Sequence, residues 1–262
     1  MPFIEVDDNT LEYERIPGAR NRPTLVMLHE GLGSLAMWRD FPQRLAAATA
    51  HGVIVYSRLG YGRSDALAST RNARSPNFMH HEAFEVLPAL LLALELTRPV
   101  LLGHSDGGSI ALLHASRHRV GGVIAMAPHI CVEAAGIASI RAAKVAYEVG
   151  DLRARLARYH DDVDGAFYGW NDVWLSAGFA GWNIEKYVND IRDPILAMQG
   201  EDDEYGTLYQ IEEIQRRAAQ TRLLKMPRCG HSPHRDQPGQ VIAAIQSFLA
   251  TLADAKAGDM PL

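Results

Sequence analysis

The sequence predicts an α/β domain, a mostly parallel sheet covered by helices. Two observations predict it. Short apolar runs of strand length alternate with longer stretches whose apolar residues recur at helical spacing. That rhythm breaks once, over residues 131–189, where no convincing strand is found. Composition agrees: 262 residues, 47% hydrophobic and 22% charged, suit one large globular domain with a small insertion.

The elements follow in order. Residues 11–16 alternate as a half-exposed strand does. Residues 24–29 (TLVMLH) form a short apolar run, as expected of a strand buried on both faces. Residues 52–57, 99–103, 120–127, 194–199 and 222–226 share that character. Residues 38–48, 81–96 and 107–118 read as helices, and residues 240–255 as a closing amphipathic helix whose start is marked by Pro238 and Gly239. His80 and His81 are expected to open the second helix as surface or capping residues. The core is thus expected to comprise residues 1–130 and 190–262, with residues 131–189 as a helical insertion. This insertion carries 9 of the chain's 20 aromatic residues, and it would sit over the carboxyl edge of the strands, where parallel sheets bind ligands.

A net charge of −5 argues against a nucleic-acid or membrane-surface binder. Cys131 and Cys229 are too few for a disulfide scaffold and read as inert thiols. Residues 1–5 lack the basic and apolar regions of a signal peptide, and residues 86–96 are too short to span a bilayer and contain Glu95. The expected location is cytoplasmic and the expected partner a small molecule, with a homodimer left open and no cofactor called for.

The strongest chemical signal is Gly103-His104-Ser105-Asp106-Gly107, which follows an apolar strand and precedes a helix. In this setting G-x-S-x-G forms a strained turn that lifts the serine hydroxyl off the sheet at a helix N-terminus. Glycines two residues to either side avoid clashes with neighbouring backbone. A serine hydroxyl needs a base, and the base needs a carboxylate to orient it. After the strand ending at Gln199 come Asp202 and Asp203, of which Asp203 is favoured. After the strand ending at Met226 comes Gly230-His231, with His234 the competitor. Cys229, His231 and His234 do not complete a metal site by spacing, so no metal is expected.

A tetrahedral intermediate would need two N–H donors. The backbone of Asp106 is one candidate. The loop His29-Glu30-Gly31-Leu32-Gly33 supplies the other, Gly31 ahead of Leu32, its glycines read as allowing close approach to substrate. Leu32, His129, Trp170 and Trp174 are the expected pocket residues.

These segments together resemble the α/β-hydrolase superfamily. His29 to Gly33 resembles its H-G-x-x-G segment, Arg58 to Ser64 its R-G-x-G-x-S segment, Gly103 to Gly107 its nucleophile elbow, Gly200 to Asp203 its acid loop and Gly230-His231 its histidine loop. The resemblance spans about residues 3–250 and implies an eight-stranded, mostly parallel sheet with a helical cap after the sixth strand. One residue departs: Glu30 stands where a glycine usually follows the loop histidine. Serine at 105 argues against the members that use an aspartate nucleophile. The resemblance then implies an esterase, and the aromatic insertion suggests a small, partly apolar or aromatic acyl or alcohol group. A carbon–carbon hydrolase of ring-fission products is the alternative, weakened because His104 and Ser232 replace the asparagine and aromatic residue usual there. A ligand-binding protein on the same scaffold is the third.

Overall fold

A computed structural model describes residues 2–258, with side chains through residue 253. Eight strands form one sheet: β1 (Phe3–Val6), β2 (Asn9–Ile16), β3 (Leu25–Leu28), β4 (Val53–Tyr56), β5 (Val100–His104), β6 (Gly122–Met126), β7 (Ile195–Gly200) and β8 (Thr221–Met226), in spatial order β1-β2-β4-β3-β5-β6-β7-β8. The β1–β2 and β2–β4 pairs are antiparallel; β4 through β8 run parallel. The eight-stranded α/β architecture predicted from sequence is the one found.

The helices are α1 (Phe41–Thr49), α2 (Phe78–His81), α3 (Leu87–Ala93), α4 (Asp106–Arg117), α5 (Ala134–Val149), α6 (Leu152–Leu156), α7 (Val163–Trp174), α8 (Glu185–Val188), α9 (Tyr209–Arg217), α10 (Pro233–Asp236) and α11 (Pro238–Gly258). Helices α5 to α8 lie between β6 and β7, and an isolated bridge pairs Cys131 with Asn183 across that segment. Among the described residues no helix is long and apolar enough to cross a membrane.

The central strands read as unbroken apolar runs because both faces are covered. Val26, Leu28, Leu101, Val123, Ala125, Ile195 and Ala197 enter one buried cluster with Ile110, Phe167 and Trp174. Their neighbours Leu25, Met27, Val100, Leu102, Ile124, Met126, Leu196 and Met198 enter a second, with Phe41 and Leu45 of α1 and Val241, Ile245 and Phe248 of α11. The two-residue alternation of strand side chains thus sorts one sequence run into two cores. From β3 the chain goes first to β4 on one side and later to β5 on the other, so the carboxyl ends of β3 and β5 flank the crevice where such sheets bind ligands.

Boundaries depart from sequence expectation where geometry is irregular. The helix expected over 38–48 is a short 3-10 turn at Leu35–Trp38 followed by α1, and Pro42 sits in the first turn of α1. The helix expected over 81–96 is α2 and α3 joined by a π-helical stretch at Glu82–Val86. His80 and His81 therefore end α2 rather than open a helix, and His80 packs against Phe84, Trp182 and Tyr187. β1 carries a weak pattern because, of its four residues, only Val6 is buried.

Replacing Leu102 with Ala, at a fully buried position on a central strand, is expected to cost about 2–5 kcal/mol of unfolding free energy. Leu92→Ala, at a position 81% exposed, is expected to stay within about 0.5 kcal/mol. Equilibrium urea denaturation of both variants measures the contrast.

Candidate active site

Ser105 stands between β5 and α4 with φ 53° and ψ −121°, a conformation that non-glycine residues adopt at a cost. Hydrogen bonds hold it there. Its N–H donates to Met126 O at 2.9 Å, and its carbonyl accepts from Ser109 N at 3.1 Å. A Cβ on Gly103 would lie 2.1 Å from Gly107 O, and one on Gly107 would lie 2.2 Å from Leu28 O. Both glycines are required by backbone contact, as the sequence reading supposed.

A hydrogen-bonded chain runs from this serine through two further loops. His231 Nε2 accepts from Ser105 Oγ at 2.9 Å, and His231 Nδ1 donates to Asp203 Oδ1 at 2.8 Å. Asp203 also accepts from Tyr205 N at 2.9 Å and Gln199 Nε2 at 3.1 Å. Burial pushes the Asp203 carboxyl up, but the His231 and Tyr205 hydrogen bonds outweigh it and hold the group below its ordinary value. The competitors lie elsewhere. Asp202 is exposed, while the Asp203 side chain is 1% exposed. His234 is buried against Trp38, Phe41 and His104, and burial holds its imidazole well below the usual range. Among the described residues no group of three or more His, Cys, Asp or Glu side chains is placed to hold a metal ion.

The loop after β3 is held by buried groups whose protonation follows from their partners. Arg58 N donates to His29 Nε2 at 3.0 Å, so His29 carries its proton on Nδ1 and donates to Glu30 O at 2.7 Å. The Arg58 guanidinium, fully buried, donates to the carbonyls of His29 and Glu30 at 3.0 and 3.1 Å. Gly62 N donates to His160 Nδ1 at 3.0 Å, so His160 Nε2 donates to Leu32 O, also at 3.0 Å. The sequence marks Arg58 only as part of the segment 58–64, and His160 not at all; the partners of Arg58 lie 28 and 29 residues away and those of His160 98 and 128. The glycines of this loop also serve its packing. A Cβ on Gly31 would lie 2.2 Å from Trp170 Nε1, and one on Gly33 would lie 2.6 Å from Glu30 Oε2. Both make room for protein side chains.

Above Ser105 lies a cavity of about 260 Å³. The four expected pocket residues Leu32, His129, Trp170 and Trp174 line it, together with Gly31, Asp106 and His231. Of the nine aromatic rings in residues 131–189 only Trp170 and Trp174 do so; Tyr147 stacks on Phe167 at 3.7 Å and Phe179 on Trp182 at 5.2 Å. Met37, Ile140, Leu152, Leu156 and Tyr205 also line the cavity and were not foreseen. Burial pulls the His129 imidazole down to about 3, so this ring beside His231 stays neutral.

A profile of the alpha/beta hydrolase family matches residues 25–245. The chain belongs to that family. It is 24% identical to the sn-1-specific diacylglycerol lipase ABHD11 of Mus musculus over 92% of this chain and 85% of that one. It is 23% identical to a proline iminopeptidase of Lactobacillus helveticus over 95% of this chain and 96% of that one. Among solved structures, a carboxylesterase from the thaumarchaeon Nitrososphaera gargenis superposes with a TM-score of 0.78 at 18% identity, covering 97% of this chain and 100% of that one. These similarities place the chain among hydrolases of one fold whose substrates differ.

Two further features of this hydrolase bear on its chemistry. Both cysteines are free, and burial pushes both thiols up to about 11, which leaves them unreactive near neutrality. The Asp106 side chain, 1% exposed, forms no hydrogen bond, although the Trp174 N–H approaches closely enough to favour its anion. Burial pushes its carboxyl up to about 6, against the pull of the nearby Arg58 guanidinium.

The folded state therefore penalises the Asp106 anion. Its stabilising effect is complete below the unfolded value near 4 and disappears as pH rises through about 6. Relative to Asp106→Asn, the wild-type protein is expected to lose on the order of 3 kcal/mol between pH 4 and pH 7. Urea denaturation of both proteins across that range measures it; a constant difference would remove Asp106 as the source.

Proposed function

We propose that the protein is a serine esterase that cleaves small carboxylic esters through an acyl-enzyme on Ser105. The observation that carries this reading is the Ser105–His231–Asp203 hydrogen-bond chain opening into a confined, largely apolar cavity. Ser105 Oγ attacks the ester carbonyl carbon as its proton passes to His231 Nε2. Asp203 keeps the imidazole in the Nδ1–H tautomer and offsets the imidazolium charge. The developing oxyanion is met by the backbone N–H of Asp106, at the positive end of α4, and by that of Gly31, or of Leu32 in second place. His231 returns its proton to the leaving alkoxide, and the alcohol departs. Water then attacks the acyl carbon, His231 takes the water's proton, and the acid leaves as Ser105 recovers its own.

The cavity argues for a small acyl or alcohol group. At about 260 Å³ it lies just below the range usual for drug-sized ligands. Its walls are Trp170, Trp174 and the aliphatic chains of Ile140, Leu152 and Leu156. We read residues 131–189 as a cap, whose α5, α6 and α7 supply those walls.

Ser105→Ala is expected to abolish both hydrolysis of p-nitrophenyl butyrate and labelling by a fluorophosphonate probe; retained turnover would overturn the assignment. Asp203→Asn is expected to lower kcat by about three to four orders of magnitude, because the asparagine stabilises the wrong histidine tautomer. Asp202→Asn, at the exposed neighbour, is expected to remain within about threefold of wild type. Including a vinylogous diketone in the substrate panel separates ester cleavage from carbon–carbon cleavage.

A further inference from the structure

Glu30, the residue that departs from the family segment, has a defined place. Its side chain folds back over Gly33 and reaches two other loops. Oε2 lies 3.4 Å from His104 Nδ1, on the elbow, and Oε1 lies 3.3 Å from Arg235 Nη2, which follows the histidine loop. His104 Nε2 in turn donates to the backbone carbonyl of His231 at 2.7 Å. Both ring nitrogens of His104 thus face oxygens, one on the β3 loop and one on the histidine loop. Arg235 also donates to Met37 O at 3.2 Å, tying in the segment that follows the β3 loop.

A carboxylate lining a cavity could instead bind a cationic substrate group. Its partners argue against that. Each oxygen already faces a nitrogen of the protein, and the side chain is 16% exposed. Burial pushes the Glu30 carboxyl up, yet His104, Arg235 and His234 together hold it well below its ordinary value. The titratable groups coupled to it are those three, His29 of its own loop and His160 of the α6–α7 segment.

We propose that Glu30 is a positioning residue that clamps the β3 loop to the elbow and to the histidine loop, setting Gly31 and His231 relative to Ser105 as acylation requires. The proposal rests on the reading of Ser105 as nucleophile. Glu30 touches no reacting atom; it acts through His104 and Arg235. Misplacement of catalytic groups by a fraction of an ångström lowers turnover without weakening substrate binding.

The test uses the full chain, with active sites counted by fluorophosphonate titration. Glu30→Gln is expected to lower kcat per titrated site about tenfold while KM for p-nitrophenyl butyrate stays within about twofold. Its affinity for butylboronic acid, which forms a tetrahedral adduct on the serine, is expected to fall in parallel. Arg235→Gln, at a side chain 33% exposed, is expected to lower kcat about threefold, and the double variant to be no slower than Glu30→Gln alone. A lower melting temperature with unchanged kcat per site would make the role merely structural and overturn the proposal. A rise in KM confined to cationic esters would overturn it in favour of substrate binding, and multiplying effects in the double variant would remove the shared clamp. Failure of the nucleophile reading is seen separately, as turnover that survives Ser105→Ala.

Discussion

The site depends on backbone packed against backbone at the β5–α4 turn. Gly103 lies under Gly107, and Gly107 lies against the end of β3, each so close that a methyl group would overlap a carbonyl oxygen. This contact brings the β3 loop beside the elbow, forces Ser105 into its positive-φ conformation and starts α4 directly beneath it. The strain is offset by hydrogen bonds to β6 and to α4. Once the turn is closed, the loops after β7 and β8 need only project from neighbouring strands to bring Asp203 and His231 within hydrogen-bonding distance.

Electrostatics around the turn is arranged by burial more than by net charge. Arg58 is fully buried, and its charge is spent on the carbonyls of the β3 loop. The histidines near Ser105 divide by environment. His29, His129, His160 and His234 are held down chiefly by burial and so stay neutral, whereas His104 faces a carboxylate. His29 and His160 each tie two backbone groups through their ring nitrogens, while His129 and His234 pack against other rings, and none of the four adds positive charge beside His231.

What was legible in the sequence follows from how local each constraint is. Ser105 is readable because its turn demands glycines at fixed offsets between a strand and a helix, and Asp203 and His231 because each directly follows a strand. The strands β3 to β7 are readable because two-sided burial leaves continuous apolar runs. The supports are not readable. His160 reaches Leu32 across 128 residues, and Glu30 reaches Arg235 across 205. Nothing in their neighbourhoods marks a histidine or a carboxylate as a tie between loops. The glycines at 31 and 33 were legible as close-approach positions, but what approaches them is set by tertiary packing. The aromatic excess over 131–189 likewise marked a compact helical segment, in which Trp170 and Trp174 are the expected pocket residues; both line the cavity, while the other seven rings of the segment do not.

Gly31 and Trp170 bear on how the cavity can change. The indole rests where a side chain on Gly31 would be, so one ring is both a wall of the cavity and a stop for the β3 loop. Enlarging the cavity by shortening Trp170 also frees the loop to relax into the space. Cavity size and order of the loop are thus mechanically coupled, and a variant with a larger cavity at this position inherits a less rigid backbone beside Ser105. The remaining walls, contributed by Ile140, Leu152 and Leu156 of α5 and α6, are positions where shape can be altered while the indole keeps its place against Gly31.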